Sequence, residues 1–288
     1  MDYYSLPFEK FGKHIAVPFH LVENTAALNQ RITRIAVDAI RQANDAGREV
    51  FMIVPVGPID LSYWADLCNQ QNVTCAALKL ITMDENLTDA GQPVSMDHPL
   101  SFRGYVEHAF VQQLKPGLRP DPANVQSPDP VEPEKSTEMI ESHGGADLCF
   151  GGCGITGHFA FNDPPEPDEP CNDDEVRNWK TRALTIARES ITQMCMGGTD
   201  GNWDIIPTRA VTLGMYELLM TKKIHLTFMR NWHAGVLRRV LFGPMNGRCP
   251  GSFIQQHPNF DVTLTHLAAA TPRLNLLQAT GEVEADSD

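Results

Sequence analysis

The 288-residue chain lacks several features that would fix its class at once. No apolar run approaches the roughly 20 residues needed to cross a bilayer, which excludes a membrane-spanning helix. Met1–Lys13 has no cationic, apolar leader pattern, so the expected location is cytoplasmic. The seven cysteines are scattered, odd in number and form no Cys-x-x-Cys pair, which argues against a disulfide framework and for a reducing compartment. Basic residues are scarce: 23 Lys+Arg stand against 36 Asp+Glu, with no basic stripe, which excludes nucleic acid as a partner.

The chain is 42% hydrophobic and 20% charged, which fits a folded chain rather than a disordered one. Its net charge of -13 is concentrated in one place. Asp121–Glu175 holds 14 acids and a single base, Lys135, and about half of the prolines lie between Pro116 and Pro170. No repeat and no domain linker appears, so 1–280 reads as one domain followed by an acidic tail over 281–288.

Apolar runs alternate with helix-like stretches. Glu49–Gly57, Ala76–Met83, Ala146–Gly152, Ile224–Met229 and Phe260–Leu267 are strand candidates. Thr25–Ala46, Ser101–Leu114 and Ala234–Phe242 are helix candidates, and Asp60 is placed to cap a short helix through Leu67. Pro116–Pro133 reads as a surface connection. Continuous apolar strands alternating with helices predict a parallel α/β sheet covered on both faces.

In such sheets ligands bind beyond the carboxyl ends of the strands. Three strand ends carry chemistry: Met83-Asp84-Glu85, then Gly151–Asp163, then Arg230–His233. Gly151, Gly152, Gly154 and Gly157 let the backbone turn sharply and approach a ligand. His158 follows, with Asp163 five residues on to fix its tautomer. A carboxylate base (Asp84 with Glu85) and an acid/base histidine, without a nucleophile or metal-ligand cluster, suit proton transfer beside a carbonyl. The simpler readings are a helix cap for Asp84-Glu85 and a structural role for His158. Cys149 and Cys153 read as buried small hydrophobes, Arg238-Arg239 as a solvated helix face, and Trp232 as core packing or a sugar-stacking ring.

These motifs together resemble the glucosamine-6-phosphate deaminase/isomerase family. Met83-Asp84-Glu85 followed by His98-Pro99 and Ser101, the loop GGCGITGHFAFNDP (Gly151–Pro164), PTRAVTLGMYELL (Pro207–Leu219) and Ser252–Pro258 occur in that family's order. The resemblance implies a modified Rossmann-type α/β fold, more distantly that of the 6-phosphogluconolactonases. It implies conversion of an amino-sugar phosphate to a ketose phosphate with release of ammonia, no cofactor, and a sugar or sugar phosphate as partner. A homo-oligomer is carried over by analogy only. Asp84 would move the proton between C2 and C1, His158 would assist ring opening, and Thr156 and Asp163 would support it. Gly57, Gly152, Gly154, Gly157, Asn162, Arg188, Arg230 and His233 would contact the sugar.

The departures gather at the phosphate. The first turn, Pro55-Val56-Gly57-Pro58-Ile59-Asp60, has no hydroxyl, one N–H fewer at Pro58 and an added acid at Asp60. His233 stands where the family has lysine, and Met194 where it has arginine, with Arg188 nearby. Asp163 replaces a glutamate and shortens the arm by roughly 1.5 Å, a misplacement that costs about 100-fold in rate if uncompensated. Seven acids from Asp163 to Glu175 are expected to flank the active-site mouth and repel a dianion. An altered substrate, a phosphate site rebuilt from Arg188, Arg230 and His233, an inactive sugar-binding or interaction protein, and a lactonase-type hydrolase are the alternatives.

Overall fold

A computed structural model describes residues 2–57 and 59–273, so Pro58 and the acidic tail lie outside the described residues. The strands are β1 (Phe19–Val22), β2 (Val50–Val54), β3 (Leu78–Thr82), β4 (Asp84–Leu87), β5 (Val125–Gln126), β6 (Leu148–Gly151), β7 (Arg182–Thr185), β8 (Arg209–Thr212), β9 (Ile224–Phe228) and β10 (Phe260–Thr265). The helices are α1 (Phe11–His14), α2 (Thr25–Asp45), α3 (Ser62–Gln71), α4 (Phe102–Val106), α5 (Glu134–Ser142), α6 (Asp173–Arg177), α7 (Arg188–Gly198), α8 (Met215–Leu219), α9 (His233–Phe242) and α10 (His266–Ala269).

Seven strands form one sheet in the order β1-β10-β9-β6-β2-β3-β5. Every pairing in it is parallel. β2 and β9 are buried at every residue, which is why β2 reads as an unbroken apolar run and β9 as an apolar run interrupted only by His225 and Thr227. Alternate residues of β2 enter opposite cores. Val50, Met52 and Val54 pack with Leu28, Ile32 and Trp64 of α2 and α3, whereas Phe51 and Ile53 pack with Leu218, Leu237 and Val240 of α8 and α9. The expected parallel sheet with helices on both faces is therefore the fold.

Local chemistry sets the ends. Asn24 caps α2 through Ala27 N, and Leu28, Ile32, Ala36, Ile40 and Ala43 form its buried stripe. Asp60 accepts from Ser62 N at 3.0 Å and so supports the start of α3, one residue later than its spacing suggests. The helix expected over Ser101–Leu114 is α4 continued by a single π-helical stretch, Glu107–Val111. Pro116–Pro133 is less of a surface connection than its prolines imply. It carries the edge strand β5 and buries Leu118 and Val125.

A second sheet, which the apolar pattern does not announce, is antiparallel in the order β4-β8-β7. Its strands are four residues each and mix charged with apolar residues, so they present no long apolar run. The chain leaves the large sheet at Thr82 and enters the small one at Asp84.

Arg238 corrects the expectation of a solvated face. It is fully buried on α9, and its guanidinium donates to the carbonyls of Leu6 (2.8 Å), Ala234 (2.8 Å) and Ala269 (2.9 Å) while lying 5.1 Å from the Phe11 ring centroid. It ties both ends of the described chain to α9. Arg238→Ala leaves the Leu6 and Ala269 carbonyls without a donor, and each such loss costs about 1–3 kcal/mol. The variant is expected to lose roughly 2 kcal/mol or more of stability in a urea titration, with faster amide exchange at Tyr3–His14 and His266–Ala269.

Candidate active site

The loops that leave β2, β3, β6 and β9 enclose a cavity of about 300 Å³. β2 and β6 are neighbours from which the chain proceeds in opposite directions across the sheet, so the cavity sits at a topological switch point. Pro55–Gly57, Met83-Asp84, Gly152–Gly154 and Met229–His233 line it in part. α7 closes one side with Gln193, Met194, Gly197 and Gly198. Leu100, Phe102 and Phe161 add an apolar wall, the two rings stacked 6.1 Å apart.

Asp84 is 93% removed from solvent, and its position follows from the junction between the two sheets. As first residue of β4 it pairs with Thr212 of β8. Its Oδ1 accepts from Thr212 Oγ1 (2.6 Å) and from Phe161 N (3.0 Å), while Oδ2 has no partner among the described residues. Burial lifts its pKa to about 6, against the opposing pull of those two hydrogen bonds and of His158.

Glu85 is the next residue on the strand and faces the other way. Its carboxylate accepts from Asn86 N, Ser101 Oγ, Phe102 N and Arg103 N at 2.7–3.3 Å, which satisfies the N-terminus of α4. It does not line the cavity, so the expected catalytic pair is a single carboxylate. The helix-cap reading holds for Glu85 alone.

His158 lines the cavity and is buried. Its Nδ1–H donates to Asp163 Oδ1 at 2.7 Å. Thr156 Oγ1 and Ser190 Oγ donate to the two oxygens of Asp163, both at 2.7 Å. The shortened arm of Asp163 is thus met by two hydroxyls that fix it against the ring. Burial pushes the His158 pKa down, but the charge and hydrogen bond of Asp163 and the charge of Asp84 outweigh it and raise it. Asp163 is held below the usual carboxylate range, since His158, Ser190 and Thr156 outweigh its own burial. Gly154 is required because a Cβ there would lie 1.9 Å from His158 Nε2.

Several other expected contacts fall elsewhere. Asn162 is fully buried and bridges the carbonyls of Phe159 and Leu213 while accepting from Arg182 Nη1, so it holds the glycine loop to β8. Gly157 turns the loop at φ +82° against Cys249 and does not reach the cavity. Arg188 is exposed at the start of α7 and also stays outside. Asp60 is turned into its cap and brings no charge to the cavity. Cys149 and Cys153 are buried, their thiols pushed up by burial, as small hydrophobes should be.

The acidic stretch Pro164–Glu175 does not cover this cavity. Arg248 holds it from behind through the carbonyls of Pro165, Glu166 and Glu169. There it helps line a second space on the far side of the His158–Asp163 pair.

Two functional partners were not legible: Thr212, whose signal is its register opposite Asp84, and Ser190, which has no local signal. Arg230 and His233 do reach the cavity, and Met194 lines it with them.

No family model matches the chain. A glucosamine-6-phosphate deaminase of Exiguobacterium sibiricum is 29% identical over 203 residues, 70% of this chain and 73% of its own length. A monomeric glucosamine-6-phosphate deaminase superposes with a TM-score of 0.75 at 20% identity, over 89% of this chain and all of its own. A 6-phosphogluconolactonase of Thermotoga maritima gives 0.57 at 16% identity, over 86% and 98%. No helix among the described residues is long and apolar enough to cross a membrane. By sequence the chain is related to the glucosamine-6-phosphate deaminases, as its motifs imply, and it shares its fold with them and with the 6-phosphogluconolactonases.

Proposed function

We propose that the chain is a deaminating aldose–ketose isomerase acting on a 2-amino-2-deoxy sugar. One observation carries the reading. A buried carboxylate with one free oxygen shares a cavity with an imidazole whose far nitrogen is held by a second carboxylate.

The chemistry follows from those positions. His158, with Nδ1 committed to Asp163, has Nε2 left to exchange a proton with the ring oxygen as the sugar opens. Asp84 Oδ2 takes the C2 proton of the open-chain aldehyde and returns it to C1. The product is a 2-imino alcohol, which water hydrolyses to the ketose and ammonia. Asp84 needs its anionic form, and its pKa of about 6 makes it a stronger base than an ordinary carboxylate while still ionised at neutral pH. Lactone hydrolysis, named for the structural neighbour from Thermotoga maritima, requires no base beside a carbon acid, so the free edge of Asp84 favours isomerisation.

Asp84→Asn keeps an oxygen for Thr212 and Phe161 N but removes the base. Ammonia release should fall by about 100- to 10,000-fold. A raised carboxylate pKa means the folded state favours the protonated form, so this group's contribution to stability is lost as pH rises through about 6. The neutral variant is therefore expected to melt no lower than the parent at pH 8, which a thermal scan checks.

In the parent, kcat/KM should fall about tenfold per pH unit below about 6, as Asp84 takes up its proton. A flat profile from pH 7 to 4.5 contradicts its role as base.

Asp163→Glu restores the family's residue but adds a methylene among Thr156, Ser190 and His158. Steady-state assays are expected to show at least a roughly tenfold drop in kcat, not a gain.

A further inference from the structure

The end of the cavity farthest along the sheet from Asp84 is built by Met229–His233 on β9 and α9. A phosphate dianion at a helix N-terminus is held by free backbone N–H groups, strengthened by charge-assisted donors. Here the amides are already used. Those of Met229 and Arg230 both donate to His233 Nδ1, at 2.8 and 3.0 Å. Those of Trp232, His233 and Ala234 donate to Asn231 Oδ1 and to the carbonyls of Arg230 and Asn231. The imidazole thus fills the amide nest that an anion would occupy.

Accepting two N–H groups at Nδ1 also fixes the proton of His233 on Nε2, which has no partner among the described residues. Burial, aided by Arg230, lowers its pKa to about 3, so it is neutral. Arg230 is the one lysine or arginine lining the cavity among the described residues, and its guanidinium has no hydrogen-bond partner or ion pair among them. A Cβ on Gly197 would lie 3.0 Å from Arg230 Nη1, so the bare backbone of α7 makes the room this guanidinium occupies across the cavity.

We infer that this end reads a terminal carboxylate, and that the substrate class is a 2-amino-2-deoxyhexuronate rather than a hexosamine 6-phosphate. One planar guanidinium pairs a carboxylate or a phosphate through two parallel hydrogen bonds, so the occupied amide nest is what favours the singly charged group. The neutral Nε2–H of His233 adds a third donor without a second charge. The inference rests on the isomerase/deaminase reading of the same cavity.

The test measures ammonia release and thermal midpoint with glucosamine, glucosamine 6-phosphate and 2-amino-2-deoxyglucuronate, for the parent and for Arg230→Gln. Arg230 is exposed, so the variant should fold. The uronate is expected to exceed both other sugars in kcat/KM by about tenfold to a hundredfold. Arg230→Gln should raise KM for the uronate by a similar factor, with kcat within about twofold. Preference for either other sugar, or an unchanged KM in the variant, overturns the carboxylate assignment and leaves the reaction standing. Absence of ammonia with all three, combined with a midpoint shift by the uronate alone that Arg230→Gln abolishes, keeps the assignment and overturns the reaction. Neither ammonia nor a selective shift overturns both.

Discussion

A single buried carboxylate at the join of two sheets is the constraint on which the rest of the site depends. Asp84 is the residue with which the chain leaves the parallel sheet and enters the antiparallel one. Its Oδ1 gathers a strand hydroxyl from Thr212 and a loop amide from Phe161, so β4, β8 and the glycine loop meet at one oxygen atom. The same meeting is reinforced a few residues away by Asn162, held between the Phe159 and Leu213 carbonyls and Arg182. Glu217 extends it: fully buried, it accepts from Thr137 Oγ1, Thr181 N and Gly214 N, joining α5, the approach to β7 and the start of α8. The small sheet thereby becomes a rigid bracket for one oxygen of Asp84, and the other oxygen is left open to the cavity.

The site then separates like residues by environment. Asp84 and Glu85 are neighbours in sequence, yet strand alternation sends one into the cavity and the other onto the α4 amides. Both are buried, and burial raises both pKa values. What differs is the number of donors: Glu85 has four, and Asp84 has two on a single oxygen. His158 and His233 separate in the same way. A carboxylate at Nδ1 makes the first more basic, whereas two backbone N–H donors at Nδ1 make the second a neutral donor. The two histidines thus shift in opposite directions, whereas the two carboxylates shift the same way and differ in the donors they hold.

Much of this was legible beforehand, and the reasons differ by feature. Fully buried parallel strands have to be apolar runs, and their carboxyl ends have to carry the site, so Asp84, His158 and His233 could be placed by rule. The direction of each side chain could not. Asn162 and Glu85 sit inside recognisable motifs but point into the framework, a fact fixed by partners up to 51 residues away in sequence. Ser190 reaches Asp163 from a helix with no motif at all. The antiparallel sheet escaped because four-residue strands with Arg182, Arg209 and Asp84 at their starts carry neither a long apolar run nor clean alternation. Arg238 looked like half of a solvated pair. Its burial is set by the carbonyls of Leu6 and Ala269, which come from the two ends of the described chain.

The uneven charge also takes a different meaning once the cavity is assembled. The acidic stretch after Asp163 lies behind the histidine, gripped by Arg248, so it does not face the substrate directly. Selection on charge must come from the lining itself. Above pH 6 Asp84 is negative, Arg230 is positive and His233 is neutral, while a protonated His158 is balanced by Asp163. The cavity is close to neutral before substrate enters. A monoanion brings one charge, which Arg230 can pair at short range, leaving Asp84 as the remaining net charge. A dianion leaves a second negative charge with no cation to meet it, in a space shared with a base that must also stay ionised. Uncompensated charge in a partly desolvated site costs several kcal/mol per ion. A neutral histidine at 233 therefore limits the total negative charge the cavity can hold while Asp84 is ionised.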